Sequence, residues 1–333
     1  MAKKVITFGE VMMRLSPPGY SKFSQATSFE LAYGGGEANV AISLAYLGMK
    51  AAHVTRFPDN GLGKAATQFL RQHWLSTEHV IYGDTMLGKY FLEKGAVHRS
   101  SEVIYEREGS SFSMIHPSMV NWEEVLKEAD WFHWTGITPA ISEGAANCCL
   151  DAIKTANKLG IPVSGDINSR DNMWKYGKSV QEVMPELVKN CDIVLSSSRG
   201  IFEMFGLGQL GGGFQSSAKA LIGIFPRVKK VVGKTRKSIS ASHQQIQGKM
   251  WNGEAYIKTE MLNITHVIDR VGTGDAFAAG LIYGLLHYDD EKALDFASAA
   301  CALKHTVPGD VNMVSLENVQ SLMNGDTSGA IKR

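Results

Sequence analysis

Short runs of β-branched and aromatic residues alternate with helix-length segments along most of this chain, and this alternation constrains the fold more than any other feature. It predicts strands at 5–8, 52–55, 131–134, 162–166, 192–195 and 230–232. It predicts helices near 37–48, 63–74, 142–159, 179–190 and 214–224. Strands that alternate with helices form βαβ units, so we predict an α/β fold with a mainly parallel central sheet flanked by helices. Ligands of such sheets bind beyond the carboxyl ends of the strands.

Other stretches break this rhythm and predict a second, smaller sheet. Strand-like patterns occur at 29–33, 89–93 and 101–108. In the last of these, alternation places Val103, Tyr105 and Arg107 on one face. We predict one domain spanning 1–333, with the strands of a small β lid inserted at about 12–33 and 87–114. Tyr105 and Arg107 either pack across the lid strands or form its underside over a site.

Composition and charge exclude several classes of protein. Residues are 44% hydrophobic and 20% charged, and 34 Lys and Arg against 33 Asp and Glu leave a net charge of +1. This balance gives no basic field for nucleic acid or membrane, and no apolar run approaches the roughly 20 residues of a membrane span. The four cysteines form no Cys-x-x-Cys pair, so neither a disulfide framework nor a zinc site is indicated. We expect a cytoplasmic protein with small-molecule partners.

Three nucleotide-binding motifs can be excluded. The segment 83–90 has the glycines and lysine of a phosphate-binding P-loop, but it ends in Tyr90 and enters a strand. The segment 228–235 has Val228 in place of the first glycine. A dinucleotide-binding dehydrogenase requires Gly-x-Gly-x-x-Gly after the first strand, and the sequence that follows Gly9 does not supply it.

Two glycine-rich segments each lead into a helix. Residues 34–36 are three consecutive glycines, which allow a backbone to approach a ligand closely before a helix that begins near Glu37. Gly272, Thr273 and Gly274 precede the segment 275–286, which is apolar on nearly every face after its first residue and is therefore predicted to be buried. Unpaired N–H groups and the helix dipole make the start of such a helix a site for an anion.

Asp275, the first residue after this glycine turn, has two interpretations. As a first-turn acid it would satisfy the free amides of the helix, which is a common arrangement. Beside a phosphate cradle it would repel a resting phosphate, unless its task is to take a proton from the hydroxyl that attacks that phosphate. A cap does not require glycines on both sides of Thr273, so the sequence favours the catalytic interpretation.

Together these segments resemble the two signatures of the ribokinase-like (PfkB) carbohydrate kinases. The similarity extends from 8–10 to 305–310 and includes 90–93, 103–107, 135–140 and 166–170. Within that family the resemblance is strongest to members that act on 2-keto-3-deoxygluconate. It implies a ribokinase-like fold and transfer of the γ-phosphoryl group of ATP, with Mg²⁺, to a sugar acid.

The resemblance also implies roles for individual residues. Asp275 would be the catalytic base, and the amides of Gly272, Thr273 and Gly274 would form the anion hole. Substrate would contact Gly35, Asn39, Tyr90, Tyr105, Arg107, Ile137, Arg170 and Asp310. Nucleotide would contact Asn168, Arg170, Lys234, Arg236, Gly272 and Gly274. No metal ligands are assigned.

Two arginines bear on the substrate class. A neutral hexose needs hydroxyl partners such as Asp and Asn, whereas a sugar acid needs a cation for its carboxylate. Arg107 and Arg170 are the available cations, and they favour an aldonic or keto-deoxy acid. The alternative for either residue is a surface ion pair.

One segment departs from the family pattern. After the strand at 192–195 the family carries an Asn-x-x-Glu box that serves Mg²⁺ and phosphate, whereas this chain has Ser197-Ser-Arg-Gly200. Glu203, three residues further on, could serve through water. The alternatives are therefore a kinase for fructose or another sugar or sugar acid, or a non-catalytic sugar or nucleotide sensor, against which Asp275 argues. An exposed edge of the lid sheet favours a homo-oligomer, with a dimer formed through the lid.

Overall fold

The computed structural model describes residues 2–83, 85–167, 171–207 and 213–329 of the chain. The strands in this part of the chain are β1 (Lys4–Phe8), β2 (Met12–Ser16), β3 (Glu30–Gly34), β4 (Lys50–Pro58), β5 (Val80–Gly83), β6 (Lys89–Glu93), β7 (Glu102–Glu106), β8 (Trp131–Thr135), β9 (Val163–Asp166), β10 (Ile193–Leu195), β11 (Lys230–Ser240), β12 (His243–Trp251), β13 (Tyr256–Lys258) and β14 (Leu262–Ile264). The α-helices are α1 (Gly36–Tyr46), α2 (Gly61–Gln72), α3 (Trp122–Leu126), α4 (Ile137–Ile141), α5 (Glu143–Lys158), α6 (Val180–Val188), α7 (Ser198–Phe205), α8 (Phe214–Ile224), α9 (Thr273–His287), α10 (Asp290–Lys304) and α11 (Leu316–Met323).

The central sheet has ten strands, in the order β13-β12-β11-β10-β9-β8-β1-β4-β5, with β14 also paired to β12. All pairs from β5 to β11 are parallel, and β12 pairs antiparallel with β11, β13 and β14. The predicted α/β class is confirmed. Every strand predicted from β-branched runs lies in this sheet.

Alternation along β1 separates two apolar cores. Ile6 and Phe8 belong to a core shared with α5, whereas Val5 belongs to a core shared with α9 and α10. The predicted buried helix is confirmed as α9, which packs so closely on α10 that a Cβ at Gly280 would lie 2.9 Å from the Cα of Ala297. Both faces of the sheet are therefore covered.

The antiparallel margin of the sheet was not predicted from the sequence. β11 continues to Ser240 instead of ending near 232, and it forms a long hairpin with β12. Its outer half, 236–239, is exposed and mainly polar, so hydrogen bonds to β12 hold it in the sheet in place of a buried apolar face. Lys234 and Arg236 lie on this hairpin and line the cleft described below.

The small sheet has the order β3-β2-β6-β7 and stands apart from the central sheet. We refer to these four strands as the lid. Arg14, on β2, is almost completely buried and donates hydrogen bonds to Asp269 (2.8 Å) and Asp310 (2.7 Å) of the main body. The lid is thereby anchored to the body by a buried ionic contact. None of the helices in the described ranges has the length and apolarity that crossing a bilayer requires.

Candidate active site

A cleft of about 1430 Å³ lies between the lid and the carboxyl ends of the parallel strands. Thr135, Asp166 and Leu195, which end β8, β9 and β10, form part of its lining. Tyr90 and Tyr105 contribute from the lid. Ligands of open α/β sheets bind at this edge, so the cleft lies where the sequence predicted a site.

The glycine turn at 272–274 forms one wall of the cleft. Gly272 has a left-handed backbone (φ 77°), and a Cβ on it would lie 1.8 Å from the carbonyl oxygen of Asp310, so only glycine fits. Thr273, Gly274 and Asp275 occupy the first turn of α9, where backbone N–H groups lack partners within the helix. The turn therefore presents amide donors and the positive end of a helix dipole to the cleft.

Asp275 lies beside this turn, partly buried, and lines the cleft. Its Oδ2 accepts a hydrogen bond from Asn39 Nδ2 at 2.7 Å, and Asn39 Oδ1 accepts one from the Gly35 amide at 3.3 Å. Burial raises the pKa of Asp275 to about 6; the Asn39 hydrogen bond and Lys234 oppose this shift, while Asp166 reinforces it. A carboxylate with a pKa close to neutrality is suited to general base chemistry.

The glycines at the start of α1 have different surroundings. A Cβ on Gly34 would lie 2.1 Å from Asp310 Oδ2, and one on Gly35 would lie 1.9 Å from the carbonyl oxygen of Glu10. The close approach predicted for these two residues is thus to other parts of the protein. A Cβ on Gly36 would make only ordinary contacts, one of them at 3.9 Å from Asp275 Oδ1. Gly36 therefore leaves open space next to that carboxylate.

Three cations border the other side of the glycine turn. The Nζ of Lys234 lies 5.0 Å from the centre of the Phe277 ring and 3.6 Å from the position that a Cβ on Gly274 would take. Arg236 and Arg270 also line the cleft, and burial together with the charge of Arg236 lowers the pKa of Arg270. Lys234 and Arg236 were predicted nucleotide contacts, whereas Arg270 was not. This group of charges fits the phosphates of a nucleotide.

On the lid side, Arg107 is held by an acid that the sequence analysis did not assign. Its Nε (2.8 Å) and Nη2 donate to Glu10 Oε2, and Ser110 Oγ donates to Glu10 Oε1. Its Nη1 contacts Met173 Sδ at 3.9 Å. Arg107 lines the cleft, and its partly buried ion pair with Glu10 fixes its orientation; its contact with substrate stays a prediction. The only sequence signal for Glu10 was its place at the start of the family resemblance.

Tyr90 and Asp310 meet below the lid. Tyr90 Oη donates to Asp310 Oδ2, while Arg14 donates to Asp310 Oδ1. Burial raises the pKa of Asp310, and it also raises the pKa of Tyr90 well above its usual value. Both residues line the cleft, but their polar groups already have protein partners, and their contact with substrate stays a prediction. Arg14 was not predicted, because nothing in its local sequence indicates partners so distant in the chain.

The remaining predicted residues divide into two groups. Those that line the cleft are Gly35, Asn39, Tyr105, Ile137, Thr273 and Gly274. Tyr105 is half-exposed, which leaves its ring available to a ligand. Asn168 and Arg170 lie outside the residues that the structure describes, so their predicted roles stay predictions.

The altered box at 197–200 lies at the start of α7. Ser197 Oγ caps this helix by accepting from the Gly200 amide at 3.0 Å, and Glu203 accepts from Arg199 at 2.6 Å.

Across the described part of the chain, no group of three or more His, Cys, Asp or Glu side chains could hold a metal ion. Mg²⁺ that arrives with nucleotide phosphates needs only one or two carboxylates. Asp166 and Glu203 are acids that line the cleft, and Glu203 already pairs with Arg199.

Comparisons with known proteins agree with this geometry. Residues 2–316 match the sequence model described as pfkB family carbohydrate kinase. The chain is 30% identical over 330 residues to a 2-dehydro-3-deoxygalactonokinase of Haloferax volcanii, covering 99% of each sequence. It superposes with a TM-score of 0.91 and 38% identity on a 2-dehydro-3-deoxygluconokinase from Thermotoga maritima, covering 97% of this chain and 100% of that one. A fructokinase with bound ATP from Xylella fastidiosa shares the fold, with a TM-score of 0.78 and 19% identity over 97% and 99% of the two chains.

Proposed function

Because the chain belongs to the pfkB family of carbohydrate kinases, we propose that it transfers the γ-phosphoryl group of ATP to 2-keto-3-deoxygluconate, also called 2-dehydro-3-deoxygluconate. The observation that carries this proposal is the position of Asp275. It lines the same cleft as a group of cations suited to phosphates and an arginine suited to a carboxylate, and Asn39 orients it by a hydrogen bond. A non-catalytic sugar or nucleotide sensor would not need a partly buried acid that accepts a hydrogen bond from Asn39 beside these cations.

The chemistry follows from these positions. The sugar hydroxyl would donate a hydrogen bond to Asp275, which would take its proton as oxygen attacks the phosphorus. The amides of Gly272, Thr273 and Gly274, together with Lys234, would stabilise the negative charge on the transferred group. Mg²⁺ bound to the ATP phosphates would neutralise charge there, and Asp166 and Glu203 of the cleft are the acids that we propose would hold it.

Arg107 supports a sugar acid over a neutral sugar. Glu10 holds its guanidinium in one orientation, which reduces the entropy lost when the group binds a planar carboxylate. Arg170 remains a second proposed cation. An alternative substrate is 2-dehydro-3-deoxygalactonate, because the relative from Haloferax volcanii is named for it. The two acids differ in configuration at one carbon and share the carboxylate.

The test is a direct assay of substrate choice. Purified protein with ATP and Mg²⁺ would be supplied with 2-keto-3-deoxygluconate, 2-keto-3-deoxygalactonate, gluconate or fructose, and ADP release would be measured against a sample without sugar. We expect the highest kcat/KM on one of the two keto-deoxy acids. A preference for fructose would contradict the substrate class, and ADP release no faster than without sugar would contradict the function.

We also propose that the chain works as a single kinase domain in the cytoplasm and that it forms a homodimer through the lid. All four cysteines are free and buried, which is usual in reducing compartments. Strand β7 is the edge strand of the lid and is exposed along its length, so its free edge, with Ile104 on the face opposite Val103 and Tyr105, could pair with a second lid. Sedimentation of the purified protein would reveal a dimer or a monomer.

A further inference from the structure

Lys304 is the last residue of α10, and its side chain is completely buried. A lysine in the protein interior is rare because removal of its ammonium group from water is costly. Here the Nζ donates hydrogen bonds to two backbone carbonyls, those of Val307 and Gly309, each at 2.9 Å. The residue therefore fastens the loop that follows its own helix.

That loop, 305–310, contacts the segment 268–272, which includes the start of the glycine turn. The carbonyl of His305 accepts from the Ile268 amide at 2.8 Å, and the Gly309 amide donates to Asp269 at 3.2 Å. At the end of the loop, the carbonyl of Asp310 occupies the space in which Gly272 would otherwise carry a Cβ. The loop therefore packs directly against the left-handed turn at Gly272 and leaves no room there for a side chain.

Lys304 is also close to the turn itself. Its Cε lies 3.4 Å from the position that a Cβ on Gly272 would take. The charged groups around it are Asp269, Asp310 and Asp275, which raise its pKa, and Arg14, which lowers it; burial is the largest influence and lowers its pKa. The ammonium group thus lies directly behind the amides that face the cleft.

We propose that Lys304 is a positioning residue for phosphoryl transfer, whose hydrogen bonds to the 307–309 loop hold the Gly272–Gly274 amides in place. This inference rests on the proposed role of those amides as the anion hole. The amides stabilise charge that develops as the phosphoryl group moves. The hydrogen bonds of Lys304 should therefore affect the transition state more than bound substrate. Their loss should appear in kcat and leave the KM values nearly unchanged.

The test compares two variants that differ in the space they leave. Lys304→Ala removes the ammonium and opens a cavity, whereas Lys304→Met keeps the stem and removes only the charge. We expect kcat to fall about 10–100-fold in both, with KM for ATP and sugar within about threefold of wild type. Added methylammonium should restore part of the kcat of Lys304→Ala, because it can enter the cavity and donate to the same carbonyls. It should not restore Lys304→Met.

Controls separate this inference from the proposed function and from simple loss of stability. Lys292→Ala, on the exposed face of α10, should match wild type. Thermal melting of each variant would be recorded with and without methylammonium. An active wild type with unchanged kcat in Lys304→Ala, equal rescue of both variants, absence of rescue, or failure of both variants to fold would each overturn the positioning role. An inactive wild type would instead refute the proposed function.

Discussion

Asn39 Nδ2 donates a 2.7 Å hydrogen bond to Asp275 Oδ2 across 236 residues of sequence. The two residues lie in the first turns of different helices, α1 and α9, and each follows a glycine-rich turn. This contact orients the carboxylate, so that Oδ1 lies on the side of the open space at Gly36. The two glycine signatures of the sequence are thus two halves of one site, and this relationship determines the first three predictions.

Substitution of Asp275 by Asn tests its role as the base. The change preserves side-chain size and most capping ability, so the fold should persist while kcat falls by on the order of 10²–10⁴. Steady-state kinetics on 2-keto-3-deoxygluconate would measure this, with Asp151→Asn on the exposed face of α5 as the control. Turnover within about threefold of wild type would leave Asp275 as a helix cap only.

The same variant should be more stable than wild type at alkaline pH. Burial raises the pKa of Asp275 from 3.8 to about 6, so the folded state binds the proton more tightly than the unfolded state does. The stabilisation from the protonated form is complete below pH 3.8 and is lost as pH rises through 6. Differential scanning calorimetry should therefore show a larger gain in Tm for Asp275→Asn at pH 8 than at pH 4.5.

The pH dependence of turnover should move when Asn39 is changed. The base must be deprotonated, so kcat/KM should rise with pH and level off above about 6, the pKa of Asp275. The hydrogen bond from Asn39 lowers this pKa, and Asn39→Ala removes it. We expect the rising limb to shift to higher pH in the variant. A limb that stays in place or moves to lower pH would show that Asn39 does not act on the charge of Asp275.

Gly36→Ala should separate stability from activity. Gly36 is the first residue of α1, and a Cβ there would meet neighbours only at ordinary distances, so the fold should accept alanine and gain about 0.4–1 kcal/mol from the lower conformational entropy of the unfolded chain. The same methyl group would lie 3.9 Å from Asp275 Oδ1, where the sugar hydroxyl is proposed to bind. We expect a Tm at least equal to that of wild type and a kcat/KM reduced about tenfold or more. Full activity would place the hydroxyl elsewhere.

The elements that the sequence predicted well are those whose signal is local. Buried parallel strands appeared as β-branched runs, and α9 appeared as an apolar segment behind glycines. The hairpin of β11 and β12 was missed beyond Val232, because its outer residues are polar and are held by cross-strand hydrogen bonds. Residues 236–239 are all exposed and show no alternation, and the alternating buried positions of β12 include Gln244 and Gly248, which give no apolar signal in the sequence.

The site was predictable where a glycine or an acid was fixed by its neighbours in sequence, as at Asp275. It was not predictable where a charge finds its partner through the fold. Arg14 pairs with Asp269 and Asp310, which lie 255 and 296 residues away, and Glu10 pairs with Arg107 across 97 residues. A short stretch of sequence shows that a residue is ionisable, but it does not show which distant residue will pair with its charge.

The ion pair of Glu10 and Arg107 leads to the last prediction, which concerns substrate class. A hydrogen bond to a carboxylate contributes roughly 1.5–3 kcal/mol, so Arg107→Ala should cost about 10–100-fold in kcat/KM on the keto-deoxy acid. Much of this loss should appear in KM, because the carboxylate is remote from the reacting hydroxyl and is held equally in ground and transition states. Any weak activity on fructose should be nearly unchanged, since a hydroxyl gives the cation little to bind.

Glu10→Gln makes the test sharper, because it leaves Arg107 in place and removes the charge that holds it. If the orientation of the guanidinium matters, Glu10→Gln should lower kcat/KM on the sugar acid, but by less than Arg107→Ala does. Its kcat/KM on fructose should again be nearly unchanged. Arg170→Ala should resemble Arg107→Ala on the sugar acid, with a rise in KM for ATP if it also meets the nucleotide. The measurement is kcat/KM on both substrates for wild type and the three variants. Equal losses on the two substrates would show that neither arginine recognises a carboxylate, because a carboxylate contact cannot contribute to the binding of a sugar that lacks one.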